Sequence, residues 1–127
     1  MLKHKIRTTL LKGKTRTKIR MIVDFSDPGY ELLSIFLEDD YLQFGDKIRE
    51  ELYAVYDGDK PSSEFRGNRI HAAFAGNLCL LYDTVAEDGL GEWCQIGLDD
   101  LLDLMDEVDD KMDELREQAQ EEKKEAE

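Results

Sequence analysis

The sequence predicts an α+β fold in which an antiparallel sheet of about five strands carries helices on one face. Three observations carry that expectation. Apolar residues alternate with a period of two over residues 2–25 and again from Glu64 to Val85. Elsewhere they recur at helical spacing, first at Leu33, Phe36, Leu37, Tyr41 and Phe44, and later from Leu98 to Leu115. The connections between β stretches are short, which suits hairpins rather than crossovers. The expected architecture is an N-terminal hairpin, two helices, a central three-stranded meander and a long acidic C-terminal helix.

A chain of 127 residues fits one domain. Its hydrophobic content of 41% suffices for a core. Residues 1–117 are expected to form the domain. Residues 118–127, whose only apolar members are Ala119 and Ala126, are expected to be frayed or disordered. No apolar run approaches the roughly 20 residues that a membrane helix needs. The basic N-terminus is not followed by the apolar stretch of a secretory signal. The expectation is a cytosolic protein with no membrane partner.

Charge is sharply segregated. The chain nets −13, yet residues 1–23 hold Lys3, Lys5, Arg7, Lys12, Lys14, Arg16, Lys18 and Arg20 and no acid. The other 104 residues hold nine bases and all 30 acids, a net of −21. Threonines and β-branched residues flanking Lys12-Gly13 make the basic segment a hairpin. With Leu11 opposite Lys14, Arg7 faces Lys18, Lys5 faces Arg20 and Thr9 faces Arg16. On the other face Ile6 meets Ile19, Thr8 meets Thr17 and Leu2 meets Val23. A one-residue slip would exchange the two faces. Like charges in opposition are destabilising. The plain expectation is therefore a solvated face partly neutralised by the acidic body. The sharper one is a basic ribbon of Lys5, Arg7, Arg16, Lys18 and Arg20 for an acidic protein or nucleic acid.

Phe25 ends the second strand. Ser26-Asp27-Pro28 reads as a helix start, with Asp27 as cap and Pro28 in the first turn. Gly45-Asp46 reads as a break and a second cap, after which Ile48, Leu52, Val55 and Tyr56 stripe another helix. Asp57–Ser63 has the composition of a surface loop. Phe65, Ile70, Ala72 and Phe74 then lead to the two-residue turn Gly76-Asn77. This sets Phe74 opposite Cys79, Ala72 opposite Leu81 and His71 opposite Tyr82. Gly67-Asn68 interrupts the alternation and suggests a bulge. The reverse face is also apolar, at Ala73, Leu80 and Tyr82, which places the hairpin centrally or at an interface and is compatible with a homodimer. After the loop Glu87–Gly91, Trp93 to Ile96 forms a short last strand.

Leu98, Leu101, Leu102, Met105, Val108, Met112 and Leu115 make one amphipathic helix. Asp99, Asp100 and Asp103 lie in its first turns, where the helix dipole favours acids. Residues 99–127 hold 14 acids and four bases. Asp99, Asp103, Asp106, Asp110, Asp113 and Glu117 advance by threes and fours and so share one face. The plain reading is a solvated face that keeps the protein soluble. The functional reading is a surface for a basic partner, since carboxylates in a row imitate a phosphate backbone.

No catalytic arrangement stands out. There is no nucleophile elbow, phosphate-binding loop or dinucleotide fingerprint. Asp57-x-Asp59 opens like a calcium loop, but Pro61 takes the next ligand position. Cys79, Cys94 and His71 lack the spacing of a zinc site and read as core thiols and a hydrogen-bonded histidine. The chain reads as a non-enzyme with no cofactor and no metal.

The run Phe65-Arg66-Gly67-Asn68-Arg69, the following hairpin, Glu92-Trp93-Cys94 and the acidic helix from Leu98 resemble small bacterial immunity proteins that accompany polymorphic toxins. The resemblance covers residues 64–105. It implies a cytosolic inhibitor of one cognate toxin. The expected function is an immunity- or inhibitor-type interaction protein. It would bind a basic protein, a toxin or a nucleic-acid enzyme, through the acidic row, with Trp93 and Tyr82 as aromatic anchors. Two alternatives stand beside it. One is a DNA mimic that blocks a nucleic-acid enzyme of a host defence. The other is a nucleic-acid-binding domain that uses the basic ribbon.

Overall fold

Alternation of apolar residues decides which side of each strand is buried, and the helices gather on that side. The computed structural model describes residues 3–12, 14, 17–27, 29–67, 70–83 and 93–125. Strands β1 (His4–Lys12) and β2 (Thr17–Phe25) pair as a two-stranded sheet. Helix α1 (Glu31–Ile35) passes through a π-helical turn at Phe36–Asp40 into α2 (Tyr41–Tyr56). Strands β3 (Ser62–Arg66), β4 (Ile70–Ala75), β5 (Leu78–Asp83) and β6 (Trp93–Gly97) form a four-stranded antiparallel meander. Helix α3 runs from Leu98 to Glu125. The fold is α+β, with the long C-terminal helix in place.

The meander has the expected register, with Phe74 opposite Cys79, Ala72 opposite Leu81 and His71 opposite Tyr82. Gly76 supplies the positive φ of 60° that the Gly76-Asn77 turn requires. Phe65, Ile70, Ala72, Phe74, Cys79, Leu81, Cys94 and Ile96 all point to one face and are buried. Helix α1 packs on β5 and β6, α2 on β3 and β4, and α3 on β5 and β6. Leu33, Phe36, Leu37, Ile48, Leu52, Leu101 and Met105 fill the layer between.

Several expectations are corrected. The N-terminal hairpin pairs four residues out from the expected register: Lys5 opposite Asp24, Ile6 opposite Val23 and Arg7 opposite Ile22. An even shift leaves the two faces unchanged. It also removes the Arg7/Lys18 and Lys5/Arg20 oppositions and brings Arg7 within 2.8 Å of Asp24. This hairpin is a separate sheet, and the meander has four strands, not three. Gly67 does not sit in a bulge of one long strand: β3 ends at Arg66 and β4 begins at Ile70, the two pair antiparallel, and Gly67 N–H donates to Ile70 C=O at 2.9 Å, while Asn68 lies outside the described residues.

The first helix starts at Glu31 with no side-chain cap, because the chain first turns at Gly29, where φ is 101°. The break expected at Gly45-Asp46 falls one residue earlier, at Phe44 (φ −125°, ψ 28°), where the backbone leaves helical geometry and α2 is kinked. Tyr56 is exposed rather than part of the stripe, and on α3 Leu104 is buried more fully than Leu102. The segment from Thr84, including Val85 and the Glu87–Gly91 loop, lies outside the described residues.

Asp40, at the end of the π turn, is the one buried charged residue among the described residues. Its carboxyl group lies against Gly67. A β-carbon on Gly67 would sit 2.6 Å from Asp40 Cγ, so the carboxylate fits there because Gly67 has no side chain. Gly67→Ala is expected to lower unfolding free energy by about 1–3 kcal/mol, the usual cost of overpacking. Gly97→Ala, with no neighbouring atom nearer than 3.9 Å, should change it by less than about 0.5 kcal/mol. Urea unfolding of the two variants checks this contrast.

Candidate protein-binding site

Helix α3 is the longest element, 28 residues or about 42 Å. Leu98, Leu101, Leu104, Met105, Val108 and Leu115 turn inward. That leaves its acids on the outer flank. All six of Asp99, Asp103, Asp106, Asp110, Asp113 and Glu117 are exposed, but they are not equivalent. Asp99 accepts a hydrogen bond from Tyr56 Oη at 2.9 Å. Asp106 is held by Arg49 at 2.9 Å, and Asp113 lies 3.7 Å from Arg116. Asp103, Asp110 and Glu117 have no ion-pair partner among the described residues.

The base that reaches this helix comes from α2. Arg49 donates from Nη2 to Asp106 at 2.9 Å and to Asp109 at 2.8 Å. It donates from Nη1 to Tyr53 Oη at 3.1 Å and from Nε to Tyr41 Oη at 2.9 Å. Tyr41 in turn donates to Asp109 at 2.9 Å. Burial raises the Tyr41 pKa, and the bond to Asp109 raises it further, so the phenol keeps its proton. Burial acts to lower the Arg49 pKa, but the bonds to Asp106, Tyr41 and Asp109 outweigh it and the net shift is upward. The network is closed on itself and serves as the polar anchor of α2 on α3. Sequence reasoning missed Arg49. The available signal was its place beside Ile48 on α2, at helical spacing from Tyr41 and Tyr53.

A second tie joins the hairpin to α3: His4 Nε2 lies 2.6 Å from Glu107. The outer face of the hairpin exposes Lys5, Arg7 and Arg20. Arg7 is spent on Asp24. Lys18 lies opposite Leu11 in the register, and Arg16 falls outside the described residues.

Tyr82 and Trp93 are register partners on β5 and β6. They are 39% and 61% exposed, on the face of the meander that no helix covers. Helix α3 packs on the other face. The structure therefore does not bring the aromatic pair and the acidic row onto one surface. His71 sits in the same outer row, 2.9 Å from the Glu64 carboxylate and 6.2 Å from the Tyr82 ring, as a hydrogen-bonded histidine. Cys79 and Cys94 are buried on the inner face. Burial pushes the Cys79 thiol up to about 12 and Cys94 to about 11. Among the described residues, no three metal-ligating side chains cluster, and no helix is long and apolar enough to cross a membrane.

With this geometry in place, comparison with known proteins adds one finding. The chain is 32% identical over 75 residues to a curated protein of Bacillus cereus described as an immunity protein. The match takes in 59% of this chain and 64% of that protein, so it spans less than two thirds of the relative. No protein-family model matches the chain, and no solved structure does. The similarity supports an immunity-type protein and says nothing of a polymorphic toxin system.

Two outcomes are expected here. Arg49→Ala should destabilise the fold by about 1–2 kcal/mol in urea, since it removes the bonds to Asp106, Asp109 and Tyr41 and leaves only the Tyr41–Asp109 bond to tie α2 to α3 there, and Arg49→Lys should not restore it, because an ammonium cannot fork between Asp106, Asp109 and Tyr41. The thiols should resist a thiol-specific reagent at pH 8 and react once the chain unfolds. Their folded pKa values exceed the unfolded one, so the unfolded state holds fewer protons above pH about 9. Stability should fall as pH rises from there, and removing both thiols by Cys79→Ala and Cys94→Ala should flatten that slope.

Proposed function

We propose that this chain is a non-catalytic immunity-type inhibitor that binds a basic protein, toxin-like in kind, through the acidic face of α3. The observation that carries the reading is the set of unneutralised acids on a rigid element. Asp103, Asp110 and Glu117 are exposed, free of any ion pair among the described residues, and span about 21 Å of α3. In the full row of Asp99, Asp103, Asp106, Asp110, Asp113 and Glu117, like charges three and four residues apart weaken a helix by a few tenths of a kcal/mol per pair. A cationic partner removes that repulsion on binding and gains electrostatically steered association. The similarity to an immunity protein supports a protein partner rather than a small molecule.

The test begins with affinity capture of the tagged full chain from the lysate of its own cell, with nuclease present, and identification of the bound protein. The expected capture is one stoichiometric basic protein. Nucleic acid in the eluate, with proteins lost on nuclease treatment, would overturn the reading and move the function to the basic hairpin. Against the purified partner, the triple variant Asp103→Lys, Asp110→Lys and Glu117→Lys should slow association at low salt at least tenfold and flatten its salt dependence. Unchanged binding would exclude the α3 face as the contact.

A further inference from the structure

Arg49 shows how this molecule holds a guanidinium. The group lies 5.7 Å from the centre of the Tyr41 ring and forks to Asp106 and Asp109 of α3. The same parts recur nearer the start of α3, without a base. Tyr53 and Tyr56 stand on the outer face of α2, 39% and 49% exposed. Asp99 and Asp103 stand exposed on α3. Tyr56 Oη donates to Asp99 at 2.9 Å. That tie and the one from Arg49 to Asp106 run in opposite directions with equal spacing. Asp103, between those two acids on α3, is therefore level with Tyr53, between Tyr56 and Arg49 on α2. Neither Asp99 nor Asp103 has an ion-pair partner among the described residues. The bond to Asp99 raises the Tyr56 pKa, and the charges of Asp57 and Asp103 add to the rise, which puts those carboxylates within electrical reach of the ring.

We propose that this place receives an arginine side chain of the basic partner, with its guanidinium against the Tyr53 and Tyr56 rings and bonded to Asp103. The inference rests on the proposed function, and it names the group of the partner that docks and where on α3 it lands. Charge selects a cation, since the carboxylates of Asp57, Asp99 and Asp103 lie by two rings whose faces are themselves electron-rich. Geometry selects arginine. A guanidinium is flat, stacks on a tyrosine face and forks to carboxylates, whereas an ammonium is a point charge. The contacts of Arg49 show the stacking and the forking together. Both rings are fixed before any partner arrives, Tyr56 by Asp99 and Tyr53 by Arg49 Nη1 at 3.1 Å. Little side-chain entropy is then lost on binding. By the same register Asp110, an equally open acid, falls level with Gly45 and Asp46, where no tyrosine stands.

Calorimetric titration of the purified full chain with a hexa-arginine peptide, compared with hexa-lysine, tests the site with equal charge on both probes. Hexa-arginine is expected to bind about fivefold more tightly. The pair Tyr53→Leu and Tyr56→Leu keeps apolar bulk and net charge and should abolish most of that preference. The pair Tyr53→Phe and Tyr56→Phe keeps the rings and should retain most of it. Asp103→Asn should weaken hexa-arginine about threefold more than Asp110→Asn does, although each removes one charge. Thermal unfolding confirms that every variant folds. No preference for hexa-arginine would overturn the proposal. A preference that survives the leucine pair, or equal effects of Asp103→Asn and Asp110→Asn, would overturn it as well. In each of those cases, binding that still falls in the triple variant Asp103→Lys, Asp110→Lys and Glu117→Lys leaves the acidic face of α3 as the contact. Binding indifferent to that variant removes both readings.

Discussion

One sheet with one covered face is the constraint on which the rest of this protein depends. The four strands of the meander are each five or six residues long, and their alternation divides them cleanly into a buried set and an open set. Three helices are enough to cover one side. They bury Phe74, Leu81 and Ile96 under Leu33, Phe36, Leu101 and Met105, and that contact supplies most of the apolar burial in the fold. Nothing among the described residues is left to cover the other side. Among the described residues this division leaves three open surfaces: the outer flank of α3 behind the sheet, the outer face of the sheet, and the outer face of the hairpin.

The polar contacts then fix how the covering layer sits. Arg49 locks α2 to α3, and Glu38 of the π turn accepts a hydrogen bond from Val23 N–H at 2.8 Å, which holds the hairpin against the helical layer. Burial raises the Glu38 pKa, partly offset by that bond. Ser63 at the start of β3 bonds Glu51 of α2, and His4 reaches Glu107. Each of these joins one element to another across a seam where the apolar core thins out. They specify position more than they add energy, since several are half exposed and screened by water.

The elements governed by local periodicity were legible in the sequence. The Gly76-Asn77 hairpin, the pairing of Phe74 with Cys79, the stripe of α3 and the end of β2 at Phe25 all follow from spacing and turn chemistry that neighbouring residues decide. The errors fall where distant residues decide. The register of the N-terminal hairpin was set by assuming a tight turn at Lys12-Gly13. The register found instead satisfies Arg7 with Asp24, a residue 17 positions away. Gly67 looked like a bulge because its reason, the carboxylate of Asp40, comes from a π turn that no pattern announces. Tyr82 and Trp93 were legible as open aromatics, and Asp103 and Asp110 as open acids. That they occupy opposite sides of one sheet was not, because the side on which α3 packs is a tertiary choice.

The inward stripe of Leu101, Leu104, Met105 and Val108 decides which flank of α3 is buried, and the acids are left to repel one another on the outer flank, where water and salt screen them. Tyr82 and Trp93 lie across the sheet from that helix, so the open acids and these open aromatics do not share a surface.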